Sequence, residues 1–284
     1  MSIKVKDLSY IYNHNTPFEH SALKNINLEI DSGKIIAIVG ATGSGKTTLV
    51  QHFNALLLPS SGKLLVDGKE ISADVKPKGL KQLRKNVGLV FQFPEYQLFE
   101  ETILKDVAFG PLNFGVSEEE ATALAKKYLK VVNIDEELFE RSPLDLSGGQ
   151  KRRVAIAGIL ALESNTLVLD EPTAGLDPQG ALEMMKLFSN LNKEDKKTVI
   201  IVTHDMEHVL QYCEEVIVLD QGEVKGHFSV EDFFNERDLL SGLEIEMPSL
   251  IQLRQKLIDA GFTGLEKVLS NEELVRVVSE QVAK

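Results

Sequence analysis

The stretch "KIIAIVGATGSGKTTLV" spans residues 34–50, and its reading decides the fold. Its first half, Ile35 to Val39, is a continuous apolar run, the composition of a strand covered on both faces. Its second half, from Lys46 onward, has helical spacing. Between them "GATGSGKT" at 40–47 fits G-x-x-x-x-G-K-[ST], in the strand–turn–helix setting that gives the pattern its meaning. Gly40, Gly43 and Gly45 let the backbone curl, so that its N–H groups, with those of Ala41, Thr42 and Ser44, point at phosphate oxygens. The helix N-terminus adds partial positive charge. Lys46 then reaches the β- and γ-phosphates, the Thr47 hydroxyl ligates Mg²⁺, and Thr48 belongs to the same cradle. The expected ligands are therefore a nucleoside triphosphate and Mg²⁺.

Working outward, "VGLVF" (87–91), "TLVLD" (166–170), "TVIIVT" (198–203) and "EVIVLD" (215–220) have the same buried-strand character. Helical patterns fill 117–131, 147–161 and 179–191. Such alternation predicts an α/β core with a mostly parallel sheet. The first 35 residues read as short strands and turns, an antiparallel β flap, and residues 112–162 read as a helical insert. The expected domains are 1–240, holding this core, and 241–284, where two amphipathic patterns (249–260 and 271–282) form a helical extension.

Composition limits the partners. The formal net charge is −12, which argues against broad nucleic-acid or anionic-lipid binding. No run is long and apolar enough to span a bilayer, and the first ten residues carry no leader pattern. The one cysteine, Cys213, excludes an internal disulfide and reads as a buried thiol.

"TLVLDEP" (166–172) places Asp170 at a strand C-terminus, where α/β sheets bind ligands. Asp170 is expected to hold Mg²⁺, and Glu171 beside it to polarise an attacking water as general base. "LSGGQ" (146–150) precedes a second helix. Ser147 caps it, and Gly148 and Gly149, with Gln150, bare N–H groups at its positive end. That is a second anion site, and two chains packed head to tail bring each such site to the other's cradle.

These motifs resemble those of the nucleotide-binding subunits of ATP-binding cassette (ABC) transporters, over roughly residues 2–240. The resemblance implies the P-loop NTPase fold of ABC ATPases and ATP hydrolysis coupled to transport. It implies that Tyr12 stacks on adenine, that Gln92 senses Mg²⁺ and the attacking water, that Asp177 in "AGLD" lies near the partner's cradle, and that His204 contacts the γ-phosphate. "QHFNALLLPSSGK" (51–63) and "FQFPEYQLFEETILKDVAFGP" (91–111) are more narrowly similar to the ATPases of energy-coupling factor (ECF) transporters, of the second type (A′). Those import vitamins or transition-metal ions. They imply a second, different ATPase subunit, a transmembrane coupling subunit, a substrate-binding membrane subunit, and a place on the cytoplasmic face of a prokaryotic membrane. An ordinary ABC transporter ATPase, a soluble non-transport ABC ATPase and a P-loop kinase stay open beside this reading.

The run "FQFPEYQLFEE" (91–101) holds Gln92, after which it is apolar, aromatic and kinked by proline. It is expected to receive a helix of the coupling subunit, with Phe93, Pro94, Tyr96, Leu98 and Phe99 as groove walls. Glu95, Glu100 and Glu101 are expected to pair with basic residues on that helix.

Overall fold

The chain opens with two long strands, β1 (Ile3–Tyr12) and β2 (His20–Ile30), which pair antiparallel. The buried strand β3 (Ile35–Val39) and helix α1 (Lys46–Phe53) follow. A hairpin, β4 (Ser61–Val66) and β5 (Lys69–Ser72), then returns to β1. After α2 (Leu80–Asn86) and β6 (Val87–Val90) come α3 (Ile103–Asn113), α4 (Glu118–Val131) and α5 (Gly148–Leu160). The second half runs β7 (Thr166–Asp170), α6 (Pro178–Asp195), β8 (Thr198–Val202), α7 (Met206–Tyr212), β9 (Glu215–Asp220) and β10 (Glu223–Ser229). It ends in α8 (Val230–Phe233), α9 (Arg237–Gly242), α10 (Ser249–Asp259) and α11 (Asn271–Val282). This computed structural model describes residues 2–75, 78–243 and 245–282; Met1 and Lys284, the outer ends of the two expected domains, lie outside them.

A six-stranded sheet in the order β10-β9-β3-β8-β7-β6 carries the core. All its neighbours are parallel except β10 against β9. Along β3, Ile36 and Ile38 face a cluster with the flap strands and α1, whereas Ala37 and Val39 face α7 and α8. Both faces are dry, which is why the strand lacks polar alternation. The flap is a four-stranded antiparallel sheet, β2-β1-β4-β5, and so draws on residues beyond the first 35. Helices α3, α4 and α5 pack together on the far side of the sheet, and this helical region starts at Ile103, earlier than the expected 112.

The tail has its own small cluster of Leu250, Leu265, Val268 and Leu274, while Ile251 reaches into the cluster of α7 and α8. Arg254 fastens the joint from within. It is 2% exposed, and its guanidinium donates to the carbonyls of Phe234 (2.8 Å), Val268 (3.0 Å) and Glu266 (3.1 Å) and to Asn235 Oδ1 (3.0 Å). No helix of the described residues is long and apolar enough to cross a membrane. Cys213 closes α7 half-buried rather than fully buried, and desolvation there pushes its thiol up to about 12.

Candidate nucleotide site

The cradle sits where β3 hands over to α1. Gly40 has φ +149°, and a methyl group there would stand 1.9 Å from the carbonyl oxygen of Leu219. Gly45, the N-cap of α1, has φ +102°, and its methyl would meet the Ala22 carbonyl at 2.7 Å. Side chains are thus excluded from both ends of the turn. Lys46 folds back over it, Nζ donating to the carbonyls of Gly40 (2.7 Å) and Ala41 (2.9 Å). Burial lowers the Lys46 ammonium, against the opposing pull of Glu171 and Asp170. Ser44 Oγ is buried without a partner among the described residues. Thr42 and Gly43 are exposed, which leaves the mouth of the turn open.

The strand ends bring the acids to the cradle. Thr47 Oγ1 donates to Asp170 Oδ2 at 2.7 Å, joining residues far apart in sequence. Asp170 is buried at the last position of β7. Burial pushes its carboxyl up, partly offset by the Thr47 hydrogen bond. Glu171 follows with φ +51°, a left-handed conformation rare for a side-chain-bearing residue. Its N–H donates to the carbonyl of Val202 (3.0 Å) on the neighbouring strand. This twist turns the carboxylate away from Asp170's partner and towards β8. There Glu171 Oε1 lies 2.9 Å from His204 Nδ1. A carboxylate only accepts, so Nδ1 carries the proton.

Tyr12 stands at the other side of α1. Its hydroxyl is 3.2 Å from Thr48 Oγ1, and Tyr10 sets its ring edge-on at 4.8 Å between centroids. A cavity of about 220 Å³ runs from Tyr12, His20 and Ala22 to Gly43, Lys46 and Thr47. His20 was not singled out by sequence reasoning, since a lone histidine at the start of a flap strand carries no signal of its own.

The remaining expected residues lie apart. Gln92 is exposed, just beyond the end of β6, and β6 neighbours β7. Ser147 caps α5: its Oγ accepts from Gln150 N–H at 3.3 Å, and Gln150 Oε1 accepts from Ser147 N–H at 3.0 Å. The Gln150 side chain is therefore engaged in its own helix cap. Ser147 and Gly148 are exposed. Asp177 caps α6, accepting from Gly180 N–H at 2.8 Å. Among the described residues no hydrogen bond or ion pair joins Ser147–Gln150 to the cradle.

Two expectations for the 91–101 run need correction. Glu95 is already paired: its two oxygens take Arg152 Nε and Nη2, both at 3.1 Å. It is thus unavailable for an outside cation. Pro94 is buried and Leu98 packs against the helical core, so neither forms a groove wall. Phe93, Tyr96 and Phe99 are exposed, joined on α3 by exposed Phe109 and Leu112. Phe99 and Phe109 meet edge to face at 4.8 Å.

A phosphate cradle at the carboxyl ends of a parallel sheet, paired acids beside it and a separate serine-capped helix that opens on two glycines define an ATP-binding cassette. A family model described as "ABC transporter" matches residues 23–174. The energy-coupling factor transporter ATP-binding protein EcfA2 of Spiroplasma kunkelii is 53% identical over 262 residues, covering 92% of this chain and 86% of that one. Its counterpart in Enterococcus faecalis is 49% identical, covering 96% and 95%. The structure of cbiO1 from Clostridium perfringens, described as part of the ABC transporter complex cbiONQ, superposes with a TM-score of 0.73 at 42% identity, covering 89% of this chain and 98% of that one. The ATP-binding cassette MJ0796, in a dimeric post-hydrolysis state bound to ADP and Pi, gives 0.72 at 34% identity over 80% and 98%. The chain belongs to the ABC transporter family, among the energy-coupling factor transporter ATP-binding proteins, and it is an ATPase.

Proposed function

We propose that this chain is one of two ATP-binding subunits that power import of a vitamin or transition-metal ion through membrane partners. The observation that carries the catalytic part is the pairing at two neighbouring strand ends. Thr47 meets Asp170 beside the cradle, and Glu171 meets His204 one strand over. Triphosphate binding falls to residues 40–48, with Tyr12 as the platform for adenine.

The donor set fits Mg²⁺. A hydroxyl and one buried carboxylate stand together, and no cluster of three or more metal-ligating His, Cys, Asp or Glu side chains occurs among the described residues. Magnesium typically takes one or two protein oxygens and completes its shell with water and substrate phosphates. Thr47 and Asp170 would hold it, with Gln92 at the adjoining strand end. When bound it neutralises charge developing on the phosphates. Glu171 accepts a proton from the attacking water, and His204 fixes that carboxylate and reaches the γ-phosphate.

Ser147, Gly148, Gly149, Gln150 and Asp177 serve the nucleotide of a second ATP-binding chain packed head to tail. The exposure of Ser147 and Gly148 supports this, and so does the dimeric state of the MJ0796 cassette. The C-terminal helices 241–284 add contact between the two chains, through exposed Leu253, Val275 and Val282. The exposed Phe93, Tyr96, Phe99, Phe109 and Leu112 receive a helix of a transmembrane coupling subunit. Glu100 and Glu101 lie at the rim of that surface, though Glu101 also pairs with Lys105 at 2.8 Å. A substrate-binding membrane subunit completes the complex, and this chain lies on the cytoplasmic face of the membrane.

Copurification tests the reading. The tagged chain should carry a second ATP-binding chain and a multi-span membrane protein from its own cells. Charge reversal at Glu100 and Glu101 should weaken recovery of the membrane protein and leave ATP binding unchanged. Recovery of the wild-type chain alone, by a procedure that keeps membranes in detergent, overturns it.

A further inference from the structure

Arg152 stands two residues beyond the LSGGQ sequence at 146–150, the signature of this cassette, in the first turns of α5, the signature helix. It is 3% exposed, and Glu95, its partner across 57 residues, is 17% exposed in side chain. Two parallel N–H···O bonds join them, the fork-to-fork geometry that fixes orientation as well as distance. The same guanidinium lies 5.7 Å from the centre of the Phe93 ring. Phe93 itself is held at φ +57°, so the turn after Gln92 is strained and needs support. Arg152 thus seats the whole of residues 93–95 from beneath, while Tyr96 on the outer side is 85% exposed.

The third nitrogen points elsewhere. Nη1 is buried and has no acceptor among the described residues. A methyl group on Gly175 would stand 3.9 Å from it, and a methyl on Gly149 would stand 3.9 Å from the Leu176 side chain. The 174–177 loop therefore lies against both Arg152 and Gly149. One buried side chain touches the apolar run, the signature helix and the loop that leads to Asp177.

We infer that Arg152 is a positioning residue that makes the 91–101 run, the signature helix and the 174–177 loop move as one piece. Nη1 is the part of that side chain that faces the loop, beside Gly175. The inference rests on the reading that a membrane subunit docks on the 91–101 run. Pressure there then reaches Ser147 and Asp177, both directed at the second chain's nucleotide, without passing through this chain's own cradle. Neither Glu95 nor Arg152 belongs to the nucleotide-binding set.

The test uses the copurified complex and reads its ATP turnover relative to that of the isolated ATP-binding chains. Arg152→Lys keeps the charge and the stem but cannot offer two parallel donors. Arg152→Lys and Glu95→Gln should each cut that ratio about 10-fold, within the 5- to 150-fold range of site-to-site coupling. ATP affinity of the isolated chain should hold, because neither residue touches the cradle. The double variant should fall no further than either single one. Full stimulation in a single variant, or additive losses in the double, overturns the inference. Should Arg152→Lys misfold, the apolar pair Glu95→Leu with Arg152→Met keeps the fold and should still lose the ratio; an intact ratio there refutes the role. Should no membrane subunit assemble around the wild-type chain, the docking reading fails separately. Hydrogen exchange in the isolated chain then decides for Arg152: Glu95→Gln must speed exchange at 174–177, and unchanged protection there overturns it.

Discussion

Glu171 Oε1 and His204 Nδ1 meet at 2.9 Å across two strand ends, with Glu171 held in a left-handed backbone conformation. The strain is local to the carboxylate and turns it out of line with Asp170. Two adjacent acids thereby take different partners, a hydroxyl for one and an imidazole for the other.

Replacing the carboxylate should separate binding from turnover. Glu171→Gln is expected to slow ATP hydrolysis by about 10²–10⁴-fold, the usual contribution of a general base, and to leave ATP affinity near wild type. Steady-state turnover beside a nucleotide-binding titration checks this; wild-type turnover in the variant contradicts the assignment.

Asp170 predicts a trade between stability and metal use. Burial holds its carboxyl above the usual range. The folded chain therefore keeps that proton to higher pH than the unfolded chain does. The stabilising contribution is present in acid and is lost as pH rises through the raised value. At neutral pH the ionised group is a standing cost. Asp170→Asn keeps an acceptor for Thr47 and removes the charge. Without nucleotide or Mg²⁺, its melting temperature should rise. Mg²⁺-dependent hydrolysis should collapse in the same variant. A fall in melting temperature would show that the charge is not a burden.

His52 supplies a pH effect of opposite sense. It is fully buried behind the cradle, with Nδ1 2.7 Å from the Thr48 carbonyl. Burial takes its imidazole down from 6.5 to about 4. On acidification the unfolded chain takes up the proton first, so stability falls between about pH 6.5 and pH 4. The loss amounts to about 3 kcal/mol. Urea titrations at pH 7 and pH 4.5 should show a shallower pH dependence in His52→Leu; an unchanged slope assigns the acid limb to other groups.

The tail should detach through one residue. Arg254→Ala removes a buried cation from four oxygen acceptors and should cost about 3–5 kcal/mol at that joint. Brief proteolysis should then cut near residues 241–249, and the cassette itself should still bind ATP. Wild-type resistance to the protease would mean that the apolar contacts of Ile251 suffice.

The sheet strands were legible because both faces of β3, β7, β8 and β9 are dry, and a continuous apolar run has no other economical reading. The cradle was legible because its glycines are demanded by backbone approach within a few residues. The hairpin β4–β5 was less visible, although Asp67 and Gly68 both take positive φ, as a two-residue hairpin turn requires. Glu95 was misread for a different reason. A carboxylate in an aromatic run looks available until its partner is known, and that partner lies 57 residues on, in a basic cluster that reads as an ordinary helix face. Local chemistry is written locally, whereas the pairing of two distant ions is settled only by packing.

Arg254 has one more implication. Its guanidinium faces three carbonyls and an amide oxygen, and among the described residues no carboxylate hydrogen-bonds to it. The joint between cassette and tail is thus an ion set among neutral dipoles inside a dry interior, where dissolved electrolyte scarcely penetrates. A concentrated salt wash would therefore leave the cassette and the tail in unaltered alignment.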